Sequence, residues 1–145
     1  MAKTFAAQIG DFVEKTERNL NAVFKQSAGE VFEIAQTPKS AGGRMPIDTG
    51  ILRASLKMSL NGQPTGQGEA AYIATVARAE FGDVVRGEYT VDYAMRQEYG
   101  FVGTDSLGRE YNQKGNFFVG NAVGQWQNIV TKNARLLAQI QGGAR

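Results

Sequence analysis

The chain contains no cysteine and no histidine. Without cysteine there is no disulfide, no thiolate nucleophile and no sulfur-ligated metal. Without histidine the commonest general base and the commonest metal ligand are missing together. A Ser–His arrangement cannot be built, and neither can a zinc site of ordinary composition. Proline is scarce at three residues, and no run approaches the ~18 apolar residues of a membrane span. Near the start, Asp11, Glu14 and Lys15 interrupt what would be a signal-peptide core. The expectation is a soluble protein with no membrane partner and no cofactor, used without export through a cleaved signal.

Charge of either sign is also in short supply: 16 basic and 14 acidic side chains leave a net of +2. That value gives no argument for nucleic-acid binding. The excess lies in the last third, where residues 101–145 hold five basic and two acidic groups. Glycine is abundant instead, 18 residues where ordinary usage of about 7% gives roughly ten. The surplus implies long loops. At 145 residues a single domain, 1–145, is expected, large enough to hold a core without staples.

Residues 4–36 read as one long helix. Phe5, Ile9, Phe12, Val13, Leu20, Val23, Phe24, Val31 and Ile34 recur at three- and four-residue steps. Such a helix spans about 45 Å, longer than a domain of this size is wide. Unless Gly29 bends or breaks it, its end overhangs the domain, its stripe packs on a neighbouring subunit, or the helix lies across its own sheet. Thr37–Arg44 follows as a flexible loop.

The chain is organised around Met45–Leu56. Pro46 brings the chain in extended. Asp48 sits where a helix N-cap belongs, with Thr49 able to replace it. Gly50 permits close approach of another backbone, and Ile51, Leu52 and Leu56 bury one side of a short helix, 46–56. A β-meander, 56–91, is expected next. Leu56, Met58 and Leu60 alternate with polar residues, Asn61–Gly68 forms a polar tip, and Ala71–Ala77 returns as a strand. A third strand falls within Val84–Val91. Tyr93–Tyr99 is a helical turn closed by Gly100 as a left-handed cap. Residues 101–116 form a long loop or extended β-arm, and a C-terminal helix, 117–141, carries Lys132 and Arg135 late, where they suit its dipole. The fold class is α+β: an antiparallel sheet of three to four strands flanked by a long N-terminal and a C-terminal helix.

Pro46-Ile47-Asp48-Thr49-Gly50-Ile51-Leu52-Arg53-Ala54-Ser55 resembles the "P-x-D-T-G-x-L-R-x-S" signature of tailed-phage neck proteins. These are small head–tail joining or tail-completion components of long-tailed phages, related to the minor tail protein Z group. About 40 residues later, Tyr93-Ala94 through Glu98-Tyr99-Gly100 looks like the "Y-A-…-E-[FY]-G" element of the same family. Phe117, Phe118 and Ala122 resemble its aromatic-led C-terminal helix, without the proline usual before it. The resemblance covers roughly residues 45–125.

It implies a structural virion protein rather than an enzyme. Such a protein forms a ring in the neck between the head connector and the tail tube, and double-stranded DNA passes through without sequence-specific binding. A hexamer is expected, with a dodecamer as the alternative. The implied partners are a head-closure or connector protein and a tail terminator or tail tube protein. The place of assembly is the host bacterial cytoplasm. A tail terminator, or another ring of the same virion, is the nearest alternative. Gln63, Pro64 and Gly66 in the polar tip, with Phe101, Arg109, Tyr111 and Lys114 in the 101–116 segment, are candidate contacts to neighbouring rings. Phe117, Phe118 and Trp126 are candidate contacts within a ring.

Asp48-Thr49-Gly50 is also the triplet of dimeric, retroviral-type aspartic proteases, in which two carboxylates share a proton. That reading needs a strand leading into Asp48. Pro46, two residues before it, suits a strand interior badly. Gly103–Gly108 has the glycine spacing of a P-loop but lacks the lysine and hydroxyl that hold phosphate and Mg²⁺. Glu80, Asp83, Glu88 and Asp92 read as decoration of a strand and its turns.

Overall fold

A computed structural model describes residues 3–143. Helix α1 runs Phe5–Gln36, as its apolar stripe predicts, and Thr4 caps it by accepting the Ala7 N–H at 3.1 Å. Pro38 cannot continue the helix, and the extended Thr37 before it ends α1. Only the second half of α1 is packed: residues 3–18 are all exposed, whereas Ser27, Ala28, Ala35 and Gln36 are buried. The exposed turns project by roughly 20 Å at the helical rise. The overhang is real.

The motif helix is shorter than expected. Only Ile51–Ala54 forms helix α2, and Gly50 occupies its cap position with φ 82°. With glycine in the cap position no side chain caps the helix, and neither Asp48 nor Thr49 takes that role. Gly50 is required for this φ, and a Cβ there would meet nothing within 4 Å, so close approach is not its role.

Strand β1, Leu56–Leu60, follows as expected. The polar tip is in fact a second strand, β2, Gln63–Gln67, joined through an Asn61-Gly62 turn with φ of 52° and 83°. Ala71–Ala77, expected as the returning strand, lies in helix α3, Ala71–Arg78. Alanine at 71, 74 and 77 favours the helix, and burial of Thr75 and Val76 holds it against the sheet. The third strand is β3, Val85–Tyr89, and the sheet order β2-β1-β3 is antiparallel throughout. The chain therefore crosses from β2 to β3 over a helix, and the meander is absent. Gly87 lets α1 approach β3, since a Cβ there would lie 2.5 Å from the Phe32 ring.

Helix α4 spans Ala94–Tyr99. Gly100 ends it with φ 87° and ψ 176°, an extended glycine-only conformation rather than the left-handed cap expected. Residues 101–116 take the β-arm alternative: β4, Gly100–Thr104, pairs antiparallel with β5, Glu110–Lys114.

The C-terminal helix is two helices, α5 Phe118–Gly124 and α6 Trp126–Gly143, separated at Gln125. The break lets α5 enter the core through Phe118 and Ala122 while α6 lies antiparallel on α1. Asn133 Nδ2 donates to Ser27 Oγ at 3.1 Å, Lys132 Nζ to Glu30 at 2.8 Å and Gln141 to Asn19 at 2.7 Å. Lys132 and Arg135 thus sit mid-helix and not in a last turn. The centre of the core is Met45, Leu52 and Phe118, with Tyr89, Val91, Ala94 and Val119 around it.

Candidate functional site

The two motif stretches meet in space. Pro46, Asp48, Thr49, Gly50, Ile51 and Leu52 line one side of an open cleft of about 330 Å³, and Tyr93 and Gln97 of the second motif line the other. Behind the cleft the motif residues work as a joint. Leu52 is buried against Met45 and Phe118. Arg53 Nε donates to the Gln36 carbonyl at 2.9 Å, and its guanidinium pairs with Glu69 at 3.2 Å. Ser55 Oγ donates to the Leu52 carbonyl at 2.7 Å, and Thr90 Oγ1 donates to the Ser55 carbonyl at 3.0 Å. These bonds fasten α2 to the end of α1 and the end of β3.

Gln36 is the hub of this joint. It is buried, and its Nε2 donates to the carbonyls of Arg53 and Glu69, both at 3.0 Å. Its Oε1 accepts from the Tyr89 hydroxyl at 2.6 Å. Burial pushes the Tyr89 hydroxyl well above the ordinary tyrosine range, the Glu98 carboxylate adds to the shift, and Arg53 opposes it. Nothing in the sequence singles out Gln36. A lone glutamine at the end of an apolar stripe carries no signal of its partners.

The capping carboxylate is Glu98 and not Asp48, and it serves a different helix. It is buried, and its carboxylate accepts from the Val119 N–H at 2.9 Å and the Gly120 N–H at 2.8 Å. Those are free donors of the first turn of α5, where a negative charge is favoured. The "E" of the second motif thus holds the helix led by Phe117 and Phe118. Phe117 itself has φ 53°, and Tyr99, 66% exposed, meets its ring edge-on. Both Tyr99 and Phe117 are accessible. Phe118 is fully buried, which removes it from the candidate interface residues and places it in the core.

The β4–β5 arm is internally braced. Asp105 accepts from the N–H groups of Leu107 and Arg109, both at 2.9 Å, from Arg109 Nε at 2.6 Å and from the Tyr111 hydroxyl at 3.1 Å. The backbone bond from Arg109 leads in holding the Asp105 carboxyl below its usual range. Phe101 stacks at a tilt on Tyr111, with the Arg96 guanidinium 4.0 Å above its ring. One face of the arm is therefore tied to α4. Arg109 and Lys114 are exposed, as are Gln63, Pro64 and Gly66 on β2, and Trp126 is 40% exposed.

Asp48 lies exposed in a bend, and no strand leads into it; Met45 before it takes only an isolated bridge to Pro38. Asp83 accepts from the Glu80 N–H at 2.8 Å and Asn61 Nδ2 at 3.0 Å, which makes it a turn residue. Among the described residues no three acidic side chains come together as a metal site would need. No protein family, curated protein or solved structure matches the chain.

Proposed function

We propose that the chain is a structural component of the neck of a long-tailed phage, forming a ring that joins the head connector to the tail tube and lets DNA pass. The observation that carries the reading is the projecting half of α1. Phe5 and Phe12 are 77% and 71% exposed, and Ile9 and Val13 continue the same stripe at 49% and 47%. A monomer has no use for such a stripe in water, and a neighbouring subunit covers it. The motif resemblance supplies the class of assembly. In the proposed ring, Leu52, Arg53, Ser55 and Glu98 build the subunit, while the α1 stripe and the arm make its contacts. Closed rings need heterologous contacts, one patch meeting a different patch on the next copy. Six copies are proposed, as the tail symmetry of the family implies. The protein is a virion component and acts without catalysis. The protease alternative has no support in the bend that holds Asp48.

Light scattering over a concentration range, with and without tail-tube protein, tests the reading. A discrete ring, or a monomer that becomes a ring only with its partner, is expected. A stable dimer that cleaves peptides at acidic pH overturns it.

A further inference from the structure

Among the described strands, one open edge carries no device against pairing. The outer strand β2 holds Pro64 and faces an irregular register at Met58/Ser59. On β3, Arg86 and Glu88 are charged, and on β5, Glu110 and Lys114 are charged. The outer strand β4 reads Gly-Phe-Val-Gly-Thr, with neither charge nor proline, and Val102 on it is 77% exposed. An edge of that kind is a template for another strand.

The hydrogen-bond phase of the arm tells which groups are open. The Asp105 N–H donates to the Arg109 carbonyl at 3.0 Å, and the paired register is Thr104↔Glu110, Gly103↔Tyr111, Val102↔Asn112. Antiparallel pairs alternate, so Phe101 and Gly103 spend their backbone groups on Gln113 and Tyr111. Val102 and Thr104 turn theirs outward on β4, where the Gly100 N–H instead closes α4 on the Arg96 carbonyl, and Glu110, Asn112 and Lys114 turn theirs outward on β5. Each arm therefore presents two open edges, the β4 edge centred on Val102 and Thr104 and the β5 edge on Glu110, Asn112 and Lys114.

We infer that the β4 edge of one copy pairs antiparallel with the β5 edge of a second copy, so that successive arms form one continuous sheet. The inference rests on the ring reading and names a contact within that ring. Direction supports it. Strand β5 is antiparallel to its own β4, so a β4 added antiparallel to β5 runs parallel to the first β4. Successive copies are then related by rotation alone, as a closed ring requires. Placing Val102 opposite Asn112 of the next copy aligns all five residues of both strands. Gly100 then faces Lys114, Thr104 faces Glu110, and no like charges oppose. Closure leaves no edge bare, and six copies would give a barrel of about twelve strands. The Phe101 and Tyr111 face, pinned under Arg96, presents the arm already ordered. The competing arrangement sets β5 against β5 of a second copy. It matches Glu110 with Lys114 twice but leaves both β4 edges, with Val102, in water.

The absence of native cysteine makes a clean test. Val102→Cys and Asn112→Cys are made separately in the full chain. Directly opposed hydrogen-bonded residues lie about 5.5 Å apart at Cα, within disulfide reach. Each variant is oxidised alone and in equimolar mixture, with and without tail-tube protein, and its mass is followed by light scattering. Covalent dimers in the mixture and none in either variant alone are expected. Dimers from Asn112→Cys alone would establish the β5-to-β5 contact and overturn the inference. A ring that yields no cross-link in the mixture overturns the strand pairing and leaves the ring reading standing. A monomer under every condition overturns both.

Discussion

The Tyr89 hydroxyl donates to Gln36 Oε1 at 2.6 Å, and this bond ties the last turn of α1 to the edge strand β3. Tyr89→Phe keeps the ring on Phe118, whose centroid lies 5.1 Å away edge-on, but leaves a buried amide oxygen without its donor. A loss of about 1–3 kcal/mol is expected. Urea unfolding checks it, with a lowered midpoint at an unchanged slope.

The same residue sets an alkaline limit. Burial, then Glu98, raises the folded Tyr89 pKa above its unfolded value. A raised group contributes stability that is complete below the unfolded pKa, about 10 for tyrosine, and is lost as pH rises beyond it. Melting temperature should therefore fall above about pH 10 more steeply for the native chain than for Tyr89→Phe. Equal slopes would remove Tyr89 as the cause.

Glu98→Ala removes the acceptor for two N–H groups of α5 and should cost roughly 1.5–3 kcal/mol. Glu98→Gln keeps one acceptor oxygen and should cost less. Hydrogen exchange at Val119 and Gly120 should rise in both variants. Protection that stays unchanged would mean that Glu98 does not hold α5.

Asp48→Ala is expected to change stability by less than about 0.5 kcal/mol, since the side chain is exposed and caps no helix. Thermal melts of the variant and the native chain measure this directly. A loss of 1–2 kcal/mol, the scale of a lost cap, would restore the capping role.

Phe5→Glu with Phe12→Glu should leave the melting temperature of the isolated subunit unchanged and abolish assembly. Both rings are exposed in the subunit, so their replacement removes no core contact. Light scattering beside circular dichroism separates the two effects. Normal rings from the double variant would exclude the α1 stripe as an interface.

The long helix was legible because its stripe repeats over nine turns, and a local period needs no tertiary partner to declare it. Strand β1 was legible from alternation for the same reason. In Ala71–Ala77 the apolar residues Tyr72, Ile73 and Val76 are too few to separate a buried strand from a short helix. Strand β2 was misread because Gln63–Gln67 has no apolar side to alternate; its turn and its place beside β1 make it a strand. The C-terminal break at Gln125 was hidden because both sides of it continue one apolar pattern.

What the sequence determined by itself was the class of fold and the exclusion of thiol and imidazole chemistry. The lack of cysteine and histidine, the apolar stripes and the punctuating Gly and Pro are properties of single residues and their spacing. Only the tertiary structure decided which carboxylate caps which helix, that Gln36 joins three elements, and that Phe118 is core while Phe5 and Phe12 stand in water. Each depends on what lies opposite a side chain across tens of residues. Capping, satisfaction of buried polar groups and burial are properties of pairs, and the spacing of one residue type along a chain does not record its partner.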